Sequence, residues 1–208
     1  MTKKISFIII LIFIGVIFEQ DITTHIRAKN LTNKEFQVEV EPGDLIVRPN
    51  LNLIFGSSKV EGGRLFGHAS LCIKGGTLSD KNDSLNDIII MESRLFRWHP
   101  LEWNNGIIKT SASTSFGEEH RGRRYILKTH LNPEQLKKIL YYADKFSDRP
   151  YSIFPSKDGG TANCSSFIKI IFSEALGINL DSNGGNYVYP NDIINHPMFD
   201  GEKNKIIF

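Results

Sequence analysis

Two cysteines, Cys72 and Cys164, are all that this 208-residue chain contains, so no disulfide-dense framework holds it together and at most one bridge can form. Cysteine and histidine nowhere recur at the close spacings of a zinc site, and the chemistry read below calls for no metal or cofactor. A dominant charge sign is missing too. The 25 Lys and Arg stand against 23 Asp and Glu, and a formal charge of +2 is too small and too scattered to imply nucleic acid. The densest basic run, "HRGRRYILK" at residues 120–128, passes into a strand-like pattern and reads as a solvated strand edge rather than a polyanion site. No repeat and no linker divides the chain. With 40% apolar and 23% charged residues, the composition is that of a globular domain of α+β or α/β type with a sizeable core.

Long apolar runs are absent but for one. Residues 5–18, "ISFIIILIFIGVIF", follow Lys3 and Lys4, which matches a positive n-region and an h-region and predicts export. The run is shorter than the ~20 apolar residues of a spanning helix. A signal peptide over residues 1–20 is therefore expected. An uncleaved membrane tether is the alternative, because no small-x-small cleavage pattern follows. No cysteine stands there for lipoprotein-type attachment. The expected location is periplasmic, secreted, or tethered facing out of the cytoplasm. A polar lead-in occupies residues 21–41, and the main domain residues 42–208.

Strands are predicted in "PGDLIVRP", "GHASLCIKGG", "NDIIIMES", "GIIKTS" and "RRYILKT", with "NKIIF" as a last one. The Gly, Ser, Asn and Asp of "GGTLSDKNDSLND" predict a long hairpin connection. In "LNPEQLKKILYYADKF", Leu136, Ile139, Leu140 and Ala143 make a helical stripe, with Asn132 as cap, Pro133 at the first position and Gln135 reaching back. A second helix is predicted within residues 159–177, "GGTANCSSFIKIIFSEALG". Asn163 caps it, Phe167, Ile168, Ile171 and Ala175 line one side, and Gly177 stops it. "YPNDIINHPMF" reads as a proline-bracketed helical turn.

Cys164 thus falls at the first turn of a helix, where unpaired N–H groups and the macrodipole favour thiolate over thiol and supply donors for an oxyanion. On position alone it is a nucleophile, half of a disulfide, or a small buried residue. A nucleophile needs a base. His25, His120 and His130 read as surface residues, and His99 and His196 each precede a proline and read as loop residues. His68 differs: it opens an apolar strand, so its ring can face a cleft while Ala69, Leu71 and Ile73 enter the core. If that strand pairs with "IIIMES", Glu92 arrives near His68 as the carboxylate that orients it, although each residue taken alone also suits a plain strand end.

Together "GDLIV", "GHASLCI", "IIIMES", "RPYSIF" and "NCSSFIKIIFSEALG" resemble the permuted NlpC/P60 cysteine hydrolases, most closely their YiiX-like branch, over residues 42–199. The resemblance implies a papain-like α+β fold, with a small antiparallel sheet, packed helices and the nucleophile at a helix N-terminus. It also implies that Cys164 is the nucleophile, His68 the base, Glu92 the third member and Tyr151 a residue shaping the substrate pocket. On an extended strand Cys72 lies ~13 Å from His68, so one thiol cannot both sit beside that imidazole and bridge Cys72.

The activity expected is an exported cysteine hydrolase of amides, with a peptide substrate from the bacterial cell wall as the leading class. One alternative is a lipid esterase, thioesterase or acyltransferase at a membrane. Another is an exported binding module with Cys72 and Cys164 bridged.

Overall fold

The computed structural model describes residues 37–48, 67–79, 87–99, 102–112, 125–152, 154–155, 160–182, 184 and 187–207. The expected signal segment, most of the lead-in, His25 and His120 lie outside them.

Short apolar alternations become strands that pair antiparallel throughout: β1 (Gln37–Val40), β2 (Leu45–Arg48), β3 (His68–Lys74), β4 (Gly76–Ser79), β5 (Ile89–His99), β6 (Glu102–Ser111), β7 (Tyr125–Leu127) and β8 (Lys205–Ile207). Six of them make one sheet in the order β6-β5-β3-β2-β7-β8, while β1 and β4 form a separate ribbon. Side chains alternate between faces, so Leu45, Val47, Ala69 and Leu71 enter one apolar cluster and Ile46 and Cys72 enter another. Helices cover the first cluster; the β1-β4 ribbon contributes Val40 and Leu78 to the second.

Those helices are α1 (Pro133–Lys145) and α2 (Cys164–Leu176), with a short α3 (Pro190–Ile194) and a 3-10 turn (Pro197–Phe199). Asn132 caps α1 with Gln135 as its capping-box partner, as the sequence predicts. Gly177 ends α2 in the left-handed conformation at φ 69°. Helix α2 buries Phe167, Ile168, Ile171 and Phe172 against the sheet, each contributing ~1.5–3 kcal/mol, which fixes the position of its first residue.

Three differences from the sequence reading have physical causes. Residues 37–40 belong to a strand rather than to a lead-in, and "GTLS" is a strand within the expected loop. Four-residue segments carry too little periodicity to read, and it is the burial of Val40 and Leu78 beside Ile88 that holds them. The β5-β6 hairpin is longer than "NDIIIMES" and "GIIKTS" suggest, and His99 ends β5 instead of lying in a loop. A register irregularity between Arg94 and Arg97 breaks the alternation there.

The "GDL" turn is tied down by charge. Asp44 is buried, its Oδ1 accepts from the Thr129 amide at 3.1 Å, its Oδ2 accepts from the Glu41 amide at 2.8 Å, and Lys128 Nζ pairs with the same Oδ2. Lys128 also donates to the Glu39 carbonyl at 3.1 Å, so the end of β7 is bound to β1 as well as to the turn that follows it.

Candidate active site

Helix α2 begins at Cys164 because Asn163 is extended, with φ −97° and ψ −179°, and its Oδ1 accepts from the Ser166 amide at 2.8 Å. The Ser166 hydroxyl reciprocates by accepting from the Asn163 amide at 2.9 Å. This capping box holds the thiol at the positive end of the helix. Upstream, Ala162 is clamped by three bonds: its amide donates to the Pro150 carbonyl at 3.0 Å, and its carbonyl accepts from the Ser152 amide at 3.1 Å and the Ser93 hydroxyl at 2.9 Å.

The pairing of β3 with β5 ends before it reaches His68. Strand β3 pairs with β5 at Cys72↔Ile90 and Leu71↔Met91, and no further pair follows toward His68. Beyond that point β3 stays with β2 through Arg48↔His68, while β5 stays with β6 through Glu92↔Ile108 and Ser93↔Ile107. Cys164 lies beside the start of β3, its Sγ 3.8 Å from the Gly67 carbonyl oxygen and 3.8 Å from Ser165 Oγ.

The His68 and Glu92 side chains meet between β3 and β5, beyond the last paired residues. His68 Nε2 stands 2.5 Å from Glu92 Oε2, both residues are buried, and Glu92 is 0% exposed. With Nε2 on the carboxylate, Nδ1 is the ring nitrogen left for the thiol. Burial pushes the Cys164 thiol up, but the charge and hydrogen bond of His68, joined by the Ala69 amide and the Ser165 hydroxyl, more than offset it. The net result is a fall from 9.0 to about 7. Tyr151 forms a bridge with Ala162, and its hydroxyl is pushed above the usual tyrosine range by burial and by the nearby Cys164 charge. The four residues singled out in the sequence, Cys164, His68, Glu92 and Tyr151, are therefore together.

Sequence reasoning missed Arg94, Ser93 and the parts played by Ser165 and Ser166. Arg94 Nε lies 2.5 Å from Glu92 Oε1 as an ion contact without the alignment of a hydrogen bond. The available signal was "ESR": residues two apart on a strand share a face, and opposite charges there, next to an apolar run, pair.

The bridged alternative is corrected: Cys72 and Cys164 are both free thiols. Cys72 sits in the second apolar cluster, where burial and the Asp44 carboxylate push its thiol up to about 12. Of the other described histidines, His196 accepts from the Met198 amide at 3.2 Å, and His130, exposed at φ 49°, places Nε2 3.2 Å from Asn204 Oδ1. Both serve local structure.

A mixed α+β architecture with antiparallel sheets and few helices, and a helix N-terminus set against the main sheet, is the class these features define. No family model matches the chain, and no curated protein is significantly similar to it in sequence. Among solved structures it is similar to the metalloprotein YiiX of Escherichia coli O157:H7, with 13% identity over 81% of this chain and 96% of that one and a TM-score of 0.52. The fold is YiiX-like. Among the described residues no group of three or more His, Cys, Asp or Glu side chains stands as a candidate set of metal ligands.

Proposed function

We propose that this protein is a cysteine hydrolase of the permuted papain-like, NlpC/P60 type that cleaves amides. The observation that carries the reading is the buried series Cys164, His68, Glu92, with the thiol drawn down to about 7 by the imidazole that the carboxylate holds. The Cys164 thiolate attacks the carbonyl carbon, and first-turn amides of α2 stabilise the oxyanion. The His68 imidazolium gives its proton to the leaving nitrogen, the C–N bond breaks, and an acyl-thioester remains. Neutral His68 then takes a proton from water, the hydroxide adds to the thioester, and the C–S bond breaks to release acid and restore the thiolate. Glu92 holds the ring throughout, and Tyr151 shapes the pocket beside the sulfur.

Peptide amides of the bacterial cell wall are the substrate class, a reading supported by the exported-type N-terminus and by analogy with the superfamily. YiiX is described as a metalloprotein; the steps above are carried by Cys164, His68 and Glu92 of this chain. A second reading, a lipid esterase or acyltransferase, is favoured by one observation. Phe154, three residues after Tyr151, is 71% exposed and packs at 5.8 Å on the exposed Tyr187, an apolar surface that suits an acyl chain.

The test is intact-protein mass spectrometry after incubation with purified peptidoglycan, a matched p-nitroanilide and p-nitrophenyl ester pair, and phospholipid vesicles. New amino termini in the peptidoglycan digest and an acyl adduct absent from Cys164→Ala are expected. Fatty-acid release from vesicles with no peptide cleavage would transfer the assignment to the lipid reading. Turnover that survives Cys164→Ala would end both.

A further inference from the structure

The ion contact behind Glu92 extends the site by one residue. We infer that Arg94 is a positioning residue that balances the charge of the site, keeping Glu92 ionised so that the Cys164 thiolate and the His68 imidazolium coexist. This inference rests on the cysteine-hydrolase reading and deepens it.

Cys164, His68, Glu92 and Arg94 form a series whose charges alternate, negative, positive, negative, positive, and sum to zero. Each is buried, and the two oxygens of Glu92 are divided between His68 Nε2 and Arg94 Nε, at 2.5 Å each. Without the guanidinium the same three groups would carry one net negative charge out of water, a cost that proton uptake relieves. The proton goes to the thiol or to Glu92, and in either case the fraction of thiolate held by imidazolium falls at neutral pH. The surroundings supply no replacement on β6, where the register partners of Glu92 and Arg94 are Ile108 and Gly106. Tyr151 and Ser165 face the sulfur as uncharged groups, and Arg48 is the register partner of His68 on β2. Alternation along β5 is what places Glu92 and Arg94 on one face.

The experiment is the rate of Cys164 alkylation by iodoacetamide across pH, in the full chain, for wild type, Arg94→Gln and Arg94→Lys, with thermal melts to establish folding. Wild type should titrate near 7. Arg94→Gln should titrate about one pH unit higher or more, which is roughly tenfold less thiolate per unit. Arg94→Lys keeps the charge and should stay close to wild type, a result that supports the inference even if Arg94→Gln does not fold. An unshifted midpoint in folded Arg94→Gln, or a shift of about one unit in Arg94→Lys, would overturn it. A wild-type midpoint near 9 would instead strike at the hydrolase reading itself, so the two failures are distinguishable.

Discussion

Ala69 and Ser93 would face each other if β3 and β5 kept the register of Leu71↔Met91, yet they are not paired, and each instead serves the segment that carries the nucleophile. The Ala69 amide hydrogen-bonds Cys164, and the Ser93 hydroxyl donates to the Ala162 carbonyl at 2.9 Å. Groups outside the β3-β5 ladder thus hold the segment that carries the nucleophile.

Ser93→Ala removes one of the two donors on the Ala162 carbonyl. A loss of about 1 kcal/mol is expected. Urea unfolding should show a lower midpoint at unchanged slope, together with slower Cys164 alkylation at fixed pH. Unchanged alkylation would mean that the clamp contributes to stability alone.

Asn163→Ala removes the side chain that caps α2, and about 1 kcal/mol should be lost, a fall of ~2–4 °C in melting temperature for a chain of this size. Ser166→Ala removes the reciprocal acceptor and a hydroxyl bond to the Asn163 carbonyl, which the Phe167 amide already serves at 2.9 Å, and should cost less. Equal losses for the two would contradict the capping geometry as the organising contact.

The Asp44-Lys128 pair is buried, so breaking it from one side leaves a charge with fewer partners. Asp44→Asn should cost ~3 kcal/mol in denaturant unfolding, and the double variant Asp44→Asn with Lys128→Met should recover part of it. Desolvation pushes the Lys128 ammonium down, but Asp44 and Glu41 raise it more, to above 10.5. A raised folded-state value means that this stabilisation is fully present below pH 10.5 and is lost as pH climbs through the folded-state value. Weakening of the pair between pH 6 and pH 8 would contradict the assignment.

Gly106 has φ +129°, and a Cβ there would lie 2.8 Å from the Arg149 carbonyl oxygen. Gly106→Ala should destabilise by more than ~1 kcal/mol and disturb the approach of the 149–151 segment, which carries Tyr151. A melt within 1 °C of wild type would refute the close approach.

Much of the site was legible because its parts stand at element ends that local chemistry marks. Asn163 and Gly177 bracket α2, so Cys164 at its start follows from capping alone, and Gly67 before an apolar run sets His68 at the start of β3. Glu92 could be placed only by assuming that β3 and β5 pair, and the pairing that occurs stops one residue short of it. Arg94 was marked only by the two-residue spacing in "ESR", because a charged residue after a strand's apolar run otherwise reads as solvated unless its burial is known. The β1-β4 ribbon escaped because contacts between segments far apart in the chain hold it, where propensity is weak. Tyr151 entered through family resemblance, and its place beside the sulfur depends on a bridge to Ala162 that no local pattern announces.

The central claim is that Cys164 is a thiolate held by His68. Its most direct test is the pH dependence of iodoacetamide labelling, resolved by peptide mass spectrometry, for wild type and His68→Ala. Because the folded-state value lies below the free thiol, labelling of Cys164 should rise as pH passes about 7 in wild type. In His68→Ala the rise should move to 9.0 or above, since burial then acts without the imidazole to offset it, while Cys72 stays unlabelled in both proteins. Labelling of both cysteines with one common midpoint, unmoved by His68→Ala, would contradict the account.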